Sequence, residues 1–213
     1  MFYSGELKGY VEAAASGEPT PGGGSVAALV GALGGALTNM VNELSVNKKA
    51  YKELSDDVKK EFEAANAKIV ALRHDLTKLI DEDTKAFDKV MEAFGMPKET
   101  DAEVAARNEA IQEGYKIALE PPLRTATKCV EIMREQDVLA EYGNKNAITD
   151  VGVGILLAYA ATESALFNVI INLNSIKDEA YNKEINAKVD SLMKEAAEHR
   201  DKNLKVVYKR LGR

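Results

Sequence analysis

The chain has 213 residues, of which 46% are hydrophobic and only 6% aromatic, and its formal net charge is −6. This length suits one domain, residues 1–213, and its mostly aliphatic apolar content favours packed helices. A negative chain lacks the basic field that nucleic-acid binding requires, which argues against a nucleic-acid partner. With Cys129 as its one cysteine and no basic-then-apolar N-terminal segment, the chain is expected to be cytoplasmic, without a signal peptide.

Helix signals begin near the N-terminus, and no alternating strand pattern interrupts them. A short helix is predicted over 5–16, followed by a glycine-rich loop and then an apolar helix from Val26 to Val46. The uncharged stretch 25–41 is the segment nearest to a membrane span in length. Because polar residues follow it at once and no flanking anchors are present, we interpret it as a buried helix and expect no membrane association.

The clearest periodicity lies in residues 56–94, whose apolar residues recur at steps of three and four, as on one face of a helix. Thr100 and Glu103 have the spacing of a capping box that opens the next helix. We expect that helix to end before Pro121, because a residue that precedes proline resists helical geometry. Further helices are predicted over 122–141, 147–176 and 178–210.

The segments 26–46 and 147–176 are unusually apolar for helices and are predicted to be buried nearly all round. The fold class expected is therefore all-α, a multihelical bundle of long and short helices around a buried apolar helix pair. Because so much apolar helix is hard to cover within one chain, we also expect a homodimer.

Residues 19–25, Pro-Thr-Pro-Gly-Gly-Gly-Ser, form the most informative motif. Gly22, Gly23 and Gly24 allow the backbone to approach a ligand closely. Ser25 is predicted to cap the helix that follows, and the free N–H groups of that helix start would bind an anionic group.

Asp83 is the strongest candidate for acid–base chemistry. It occupies a position on the apolar stripe of 56–94, and burial raises the pKa of a carboxyl towards neutrality. The competing interpretation, that Asp83 caps a neighbouring helix or pairs with a lysine, is given equal weight.

Other polar residues carry a functional and a structural interpretation each. Asp150 is a ligand-binding carboxylate or an ordinary acidic helix start. The lysines near helix ends either neutralise an acidic ligand or compensate a helix dipole. They are Lys48, Lys49 and Lys145. The asparagines on the apolar helices either form hydrogen bonds to the edge of a heterocyclic ligand or form hydrogen bonds between helices. They include Asn39, Asn168 and Asn172. Two separated histidines and one cysteine give no metal-ligand cluster, so no metal is expected.

The segment from Pro19 to Leu33 resembles the glycine-rich signature of the cyclodeaminase/cyclohydrolase family. This family comprises the C-terminal part of formiminotransferase-cyclodeaminase and free-standing methenyltetrahydrofolate cyclohydrolases. Further matches follow in the family's order over nearly the whole chain, among them Lys48-Lys49-x-Tyr51, Leu79-Ile-Asp-Glu-Asp-x-x-Ala-Phe87 and Gly143-Asn-x-Asn-Ala-Ile-x-Asp150. The chain departs from the family at Lys145, where proline is usual, and at Thr149, where serine is usual.

The resemblance implies a dimeric helical protein that binds a reduced folate, including polyglutamylated forms, as substrate and without a cofactor. It implies hydrolysis of 5,10-methenyltetrahydrofolate, with formiminotetrahydrofolate cyclodeaminase activity as the alternative and a non-catalytic folate-binding module as a rival. Because no formiminotransferase domain is seen in the chain, the hydrolase is favoured slightly. In this hypothesis Asp83 transfers the proton and Asp150 positions the pterin. The other proposed substrate contacts are Gly22, Gly23, Gly24, Ser25, Asn39 and Asn146, with Lys48, Lys49 and Lys145 on the glutamate carboxylates.

Overall fold

The structure is a computed structural model and describes residues 6–213. Within them the chain forms seven α-helices and one 3₁₀ turn, Lys145–Ala147. The helices are α1 (Leu7–Ala14), α2 (Gly23–Ser45), α3 (Lys49–Lys52), α4 (Asp56–Phe94), α5 (Asp101–Tyr142), α6 (Ile148–Leu173) and α7 (Glu179–Arg210). The all-α prediction is confirmed for the described residues, although the short helix α3 was not predicted.

The long helix α4 has the bounds that its apolar stripe predicts. The hydroxyl of Ser55 accepts the Val58 N–H at its start. On its inner face Phe62, Leu76 and Leu79 are fully buried against neighbouring helices. The predicted capping box is present at the start of α5, where Thr100 and Glu103 bond reciprocally.

The predicted break before Pro121 is wrong, because α5 continues through Pro121 and Pro122 to Tyr142. Proline has no N–H, so Pro122 leaves the carbonyl of Ala118 without its helical donor. The side-chain amide of Asn172 on α6 donates to that carbonyl at 3.2 Å. A contact from a neighbouring helix therefore compensates for the missing bond, and the helix persists.

Helices α2 and α6 cross antiparallel at close range, where glycines replace larger side chains. A Cβ on Gly34 would lie 3.0 Å from the carbonyl oxygen of Gly154, and one on Gly154 would lie 2.8 Å from Thr38 Oγ1. The side chain of Gln136 on α5 is buried there and donates to Thr38 Oγ1 at 2.8 Å. The glycines of α2 thus permit close approach between helices.

Contrary to the sequence prediction, α2 and α6 are not buried all round in this chain. Leu33 on α2 is 49% exposed, and Phe167 and Ile171 on α6 are 59% and 64% exposed. By length and composition alone, Gly23–Ser45 and Lys145–Leu173 would each be able to span a membrane. In the structure both pack their inner faces on the bundle and leave one outer apolar face uncovered.

Candidate active site

The glycine-rich loop leads directly into α2, which begins at Gly23 with Gly22 as its N-cap. The predicted capping role of Ser25 is wrong, because the helix begins two residues earlier and the Ser25 side chain has other partners. Its hydroxyl is fully buried and donates to the carbonyl of Ile80 on α4 at 2.8 Å. Since that bond uses its only proton, it accepts the Tyr10 hydroxyl at 2.9 Å. Ser25 therefore ties the first turn of α2 to α1 and α4.

The carboxylate of Asp83 lies directly against the backbone of this first turn. A Cβ on Gly24 would be 2.1 Å from Asp83 Oδ1, so only glycine leaves room for the carboxylate here. Burial raises the pKa of Asp83 to about 6, and a hydrogen bond from the backbone N–H of Ser25 opposes part of that rise. Asp83 can therefore hold or release a proton near neutral pH, as a general acid or base must.

Asp83 lines a small hollow of about 210 Å³ at the N-terminal end of α2. Its walls are Pro19, Thr20, Gly22, Gly23, Gly24, Asp83, Phe87, Ala118, Asn168, Ile171 and Asn172, so Asp83 is the one ionisable side chain among these lining residues. The amide nitrogens of Asn168 and Asn172 bond to carbonyls of Ser164 and Ala118. These bonds fix the orientation of both amides and use their nitrogens as donors.

Sequence reasoning missed three apolar walls of the hollow, Phe87, Ala118 and Ile171, as site residues. Phe87 alone carried a usable signal, because it follows Asp83 by one helical turn. Ala118 and Ile171 come from α5 and α6, and nothing in their local sequence distinguishes them from other apolar residues.

A second group of predicted site residues surrounds a separate cleft of about 440 Å³ beyond the C-terminal end of α2. Lys48, Lys145 and Asn146 line it together with Tyr51 and Arg210. The loop beside it is held to α2, because the Asn144 backbone N–H and side-chain amide bond to Ser45 Oγ and the Leu44 carbonyl at 2.8 and 2.9 Å. Asp150 is half-buried in the first turn of α6 nearby, and Lys49 is exposed in α3.

The two groups lie at opposite ends of α2, about 33 Å apart at 1.5 Å per residue. One chain thus does not bring Asp83 together with Asp150, Lys48 or Lys145. Asn39 lies between the two ends and donates to Asn66 on α4 at 2.8 Å, which favours the interhelical interpretation of that residue.

A larger cleft of about 510 Å³ lies between α5 and α7, and Asp83 is not among the residues that line it. Its cations are already paired: Arg134 bonds to Glu195, Arg124 to Glu82 at 2.6 Å and Lys128 to Asp75 at 2.8 Å. This cleft is larger than the Asp83 hollow, but its charged side chains already form ion pairs with one another. We therefore do not take it as the candidate active site.

A metal site and a reactive cysteine are two other sources of chemistry in small enzymes. Within residues 6–213 no group of three His, Cys, Asp or Glu side chains is arranged to hold a metal ion. Cys129 is fully buried and burial raises the pKa of its thiol to about 12, so this side chain packs as a small core residue and is not a nucleophile.

An all-helical bundle with a carboxyl of raised pKa at a glycine-rich helix start has the features of a candidate acid–base site for a small molecule. Comparison with known proteins identifies the family. A family model described as formiminotransferase-cyclodeaminase matches residues 6–191, and the chain belongs to this family.

Individual relatives agree with this assignment. The chain is 42% identical over 190 residues to a methenyltetrahydrofolate cyclohydrolase of Methylorubrum extorquens, with 89% of each chain covered. It is 33% identical to the formimidoyltransferase-cyclodeaminase of Mus musculus, of which it spans 34%. A crystal structure of formiminotetrahydrofolate cyclodeaminase from Thermotoga maritima superposes with a TM-score of 0.85 at 29% identity, covering 98% of both chains.

Proposed function

We propose that this enzyme of folate one-carbon metabolism hydrolyses 5,10-methenyltetrahydrofolate to 10-formyltetrahydrofolate. The observation that carries the proposal is the carboxyl of Asp83, held against the Gly24 backbone with a pKa of about 6. The similarity to a methenyltetrahydrofolate cyclohydrolase along 89% of both chains supports this choice of reaction.

The reaction needs proton transfers that one carboxyl can perform in turn. Ionised Asp83 takes a proton from water as the water oxygen bonds to the methenyl carbon between N5 and N10. Protonated Asp83 then gives this proton to N5 as the carbon–N5 bond breaks, and the hydroxyl proton leaves to solvent. The products are 10-formyltetrahydrofolate and one released proton, and these steps use the folate as substrate without a cofactor.

The hollow supplies the positioning for this chemistry. Gly22, Gly23 and Gly24 form one wall of the hollow, and Gly24 leaves the room in which the Asp83 carboxylate lies. Phe87 offers an apolar wall, and the oriented amides of Asn168 and Asn172 offer acceptors for the N–H groups of a pterin. Asp150 stays a candidate for substrate positioning.

Formiminotetrahydrofolate cyclodeaminase activity is the second candidate. The formiminotetrahydrofolate cyclodeaminase of Thermotoga maritima shares the fold over 98% of both chains. In that reaction N10 attacks the formimino carbon, ammonia leaves, and Asp83 would carry the N10 proton to the leaving nitrogen.

The protein is proposed to work in the cytoplasm as a homodimer. Its substrate would include polyglutamylated as well as monoglutamyl folate. Support for a dimer comes from the uncovered apolar face of α2 and α6, where Leu33, Phe167 and Ile171 are exposed. Apolar area of this kind on a monomer is commonly a partner surface.

The test follows the absorbance of the conjugated methenyl bridge after addition of purified protein. Decay faster than in buffer, lost in the Asp83→Asn variant, supports hydrolysis. Ammonia release from formiminotetrahydrofolate without that decay would favour the deaminase. A stable band with saturable binding would contradict both reactions and indicate a folate carrier.

A further inference from the structure

Helix α1 buries one side chain, Tyr10, against the rest of the bundle. All residues of α1 are described, and among them Tyr10 alone is buried, whereas Leu7 and Val11 are exposed. The Tyr10 ring belongs to the same buried apolar cluster as Leu79 and Ile80 of α4. Since a helix of this length is not stable by itself in water, the position of α1 depends on this anchor.

The Tyr10 hydroxyl connects α1 to the first turn of α2 through the side chain of Ser25. It donates to Ser25 Oγ at 2.9 Å, and Ser25 Oγ donates to the Ile80 carbonyl at 2.8 Å. Both hydrogen bonds are buried, so breaking either one leaves a polar group without a partner and away from water. The two bonds together fix Ser25 relative to α1 and α4.

The backbone of Ser25 in turn holds the Asp83 carboxylate. Its N–H donates a hydrogen bond to that carboxylate. The carboxylate also lies so close to Gly24 that a Cβ there would be 2.1 Å from Asp83 Oδ1. Because the carboxylate packs directly on the first turn of α2, a small displacement of this turn weakens the Ser25 hydrogen bond or moves the carboxylate. The geometry of Asp83 therefore depends on the placement of Ser25.

Tyr10 also holds one wall of the hollow. The chain runs from α1 through residues 15–22 into α2, and this segment contributes to the hollow Pro19, Thr20 and Gly22. The hydrogen bond between Tyr10 and Ser25 joins the two helices that flank the segment. Tyr10 thus acts on the carboxylate and on the wall beside it, although Tyr10 is not among the residues that line the hollow.

The Tyr10 hydroxyl keeps its proton while Asp83 passes from its protonated to its ionised form. Burial raises the pKa of Tyr10, and the negative charges of Asp83 and Asp81 raise it further, while the hydrogen bond with Ser25 opposes part of the rise. No ionisable side chain lies in the first turn of α2 or among the described lining residues that α5 and α6 contribute to the hollow. Tyr10 therefore stays a donor to Ser25 throughout the titration of Asp83.

We propose that Tyr10 is a positioning residue for the reaction, which holds the Asp83 carboxylate in place through Ser25 without touching the substrate. Removal of the Tyr10 hydroxyl loosens the first turn of α2 and weakens the hydrogen bond from the Ser25 N–H. Since that bond favours the ionised carboxylate, its loss makes Asp83 harder to ionise. The inference rests on the proposed folate reaction and adds a residue of α1 to its machinery.

The test compares the pH profile of kcat/KM of Tyr10→Phe with that of the wild type, using 5,10-methenyltetrahydrofolate. In the wild type kcat/KM should rise with pH as Asp83 ionises, because the ionised carboxyl takes the proton from water. In Tyr10→Phe the midpoint of this rise should move up by about 0.5–1 pH unit, which lowers kcat/KM about 3–10-fold well below the midpoint and changes it little at pH 8. Phenylalanine retains the buried ring, so the fold should persist. A purely structural role would lower the amount of active enzyme equally at every pH and leave the midpoint unchanged.

A double-mutant cycle shows whether Tyr10 acts through Ser25. Ser25→Ala should move the midpoint in the same direction, and adding Tyr10→Phe to it should cause no further upward shift. Tyr208→Phe, the same change at an exposed position on α7, is the matched control and should have the wild-type profile. Additive shifts in the double variant, or a Tyr10→Phe midpoint equal to that of the wild type, would overturn the positioning role.

An NMR titration of the aspartate carboxyl carbons separates this inference from the proposed function, because it does not depend on turnover. With Asp83→Asn used to assign its signal, the Asp83 carboxyl should titrate at a higher pH in Tyr10→Phe than in the wild type. An active wild type whose Asp83 signal is not shifted by Tyr10→Phe would overturn the positioning role alone. A shifted signal in a protein that turns over neither folate would overturn the proposed function and uphold the link between Tyr10 and Asp83.

Discussion

Replacing Asp83 by asparagine is expected to stabilise the protein at neutral pH while abolishing its activity. The Asp83 carboxyl has a pKa of about 6, against 3.8 for an aspartate in water, because burial disfavours its charged form. At 1.36 kcal/mol per pH unit, this difference corresponds to a cost of about 3 kcal/mol for the ionised form in the folded state. Asparagine retains the shape and never ionises, so it avoids this cost.

The sign of the pH dependence follows from proton binding. Between pH 3.8 and about 6 the folded protein holds a proton on Asp83 that the unfolded chain has already released. The free energy of unfolding of the wild type therefore falls as pH rises through this window, and the full cost is present above it. The variant should match the wild type near pH 3.5 and exceed it at pH 8 by up to about 3 kcal/mol.

Urea unfolding followed by circular dichroism at several pH values between 3.5 and 8 measures this difference. Asp88→Asn, at an exposed position on the same helix, serves as the matched control and should leave the pH dependence unchanged. An Asp83→Asn variant that is equally or less stable than the wild type at pH 8 would refute the argument that burial strains this carboxyl.

Three other substitutions test the packing around the site. Gly24→Ala puts a methyl group within 2.1 Å of Asp83 Oδ1, so it should displace the carboxylate and lower kcat in the absorbance assay. Gly17→Ala is the control: no atom lies within 4 Å of its new methyl group, so kcat should be unchanged. Ser25→Ala removes the buried hydroxyl that donates to the Ile80 carbonyl and accepts from Tyr10, and should lower the free energy of unfolding by about 1–3 kcal/mol in urea titration. Gly34→Ala crowds the backbone of α6 and should cost about 1–3 kcal/mol by thermal unfolding, and an unchanged midpoint would contradict the close helix crossing.

Periodicity in the sequence predicted the parts of the fold and site that depend on a single helix. Asp83 could be placed on the inner face of α4 because spacing alone determines which residues share a helix face. The capping box could be predicted in the same way, since Thr100 and Glu103 lie within one helical turn. The raised pKa of Asp83 followed from the same placement and is confirmed.

Expectations failed where a distant segment supplied the deciding contact. Ser25 was expected to cap α2, but Ile80 and Tyr10 engage its hydroxyl. A helix break was expected at Pro121, but Asn172 satisfies the carbonyl that proline leaves free. Such contacts depend on how helices pack, which local patterns do not encode.

The sequence also did not show that the predicted site residues lie at the two opposite ends of α2. A resemblance places motifs in chain order and says nothing about which end of the bundle each occupies. Only the structure shows that α2 holds the glycine-rich loop and the Asn144 loop at its two ends. The single-domain organisation and the individual roles of the site residues stay predictions.

A crystal structure of the protein with tetrahydrofolate bound would show whether Asp83 lies at the reacting atoms. We expect the pteridine to lie against the Gly22–Gly24 backbone, with the Asp83 carboxylate within hydrogen-bonding distance of N5 or N10. A folate seated instead in the cleft between α5 and α7, beside Arg134 and with the Asp83 hollow empty, would contradict it.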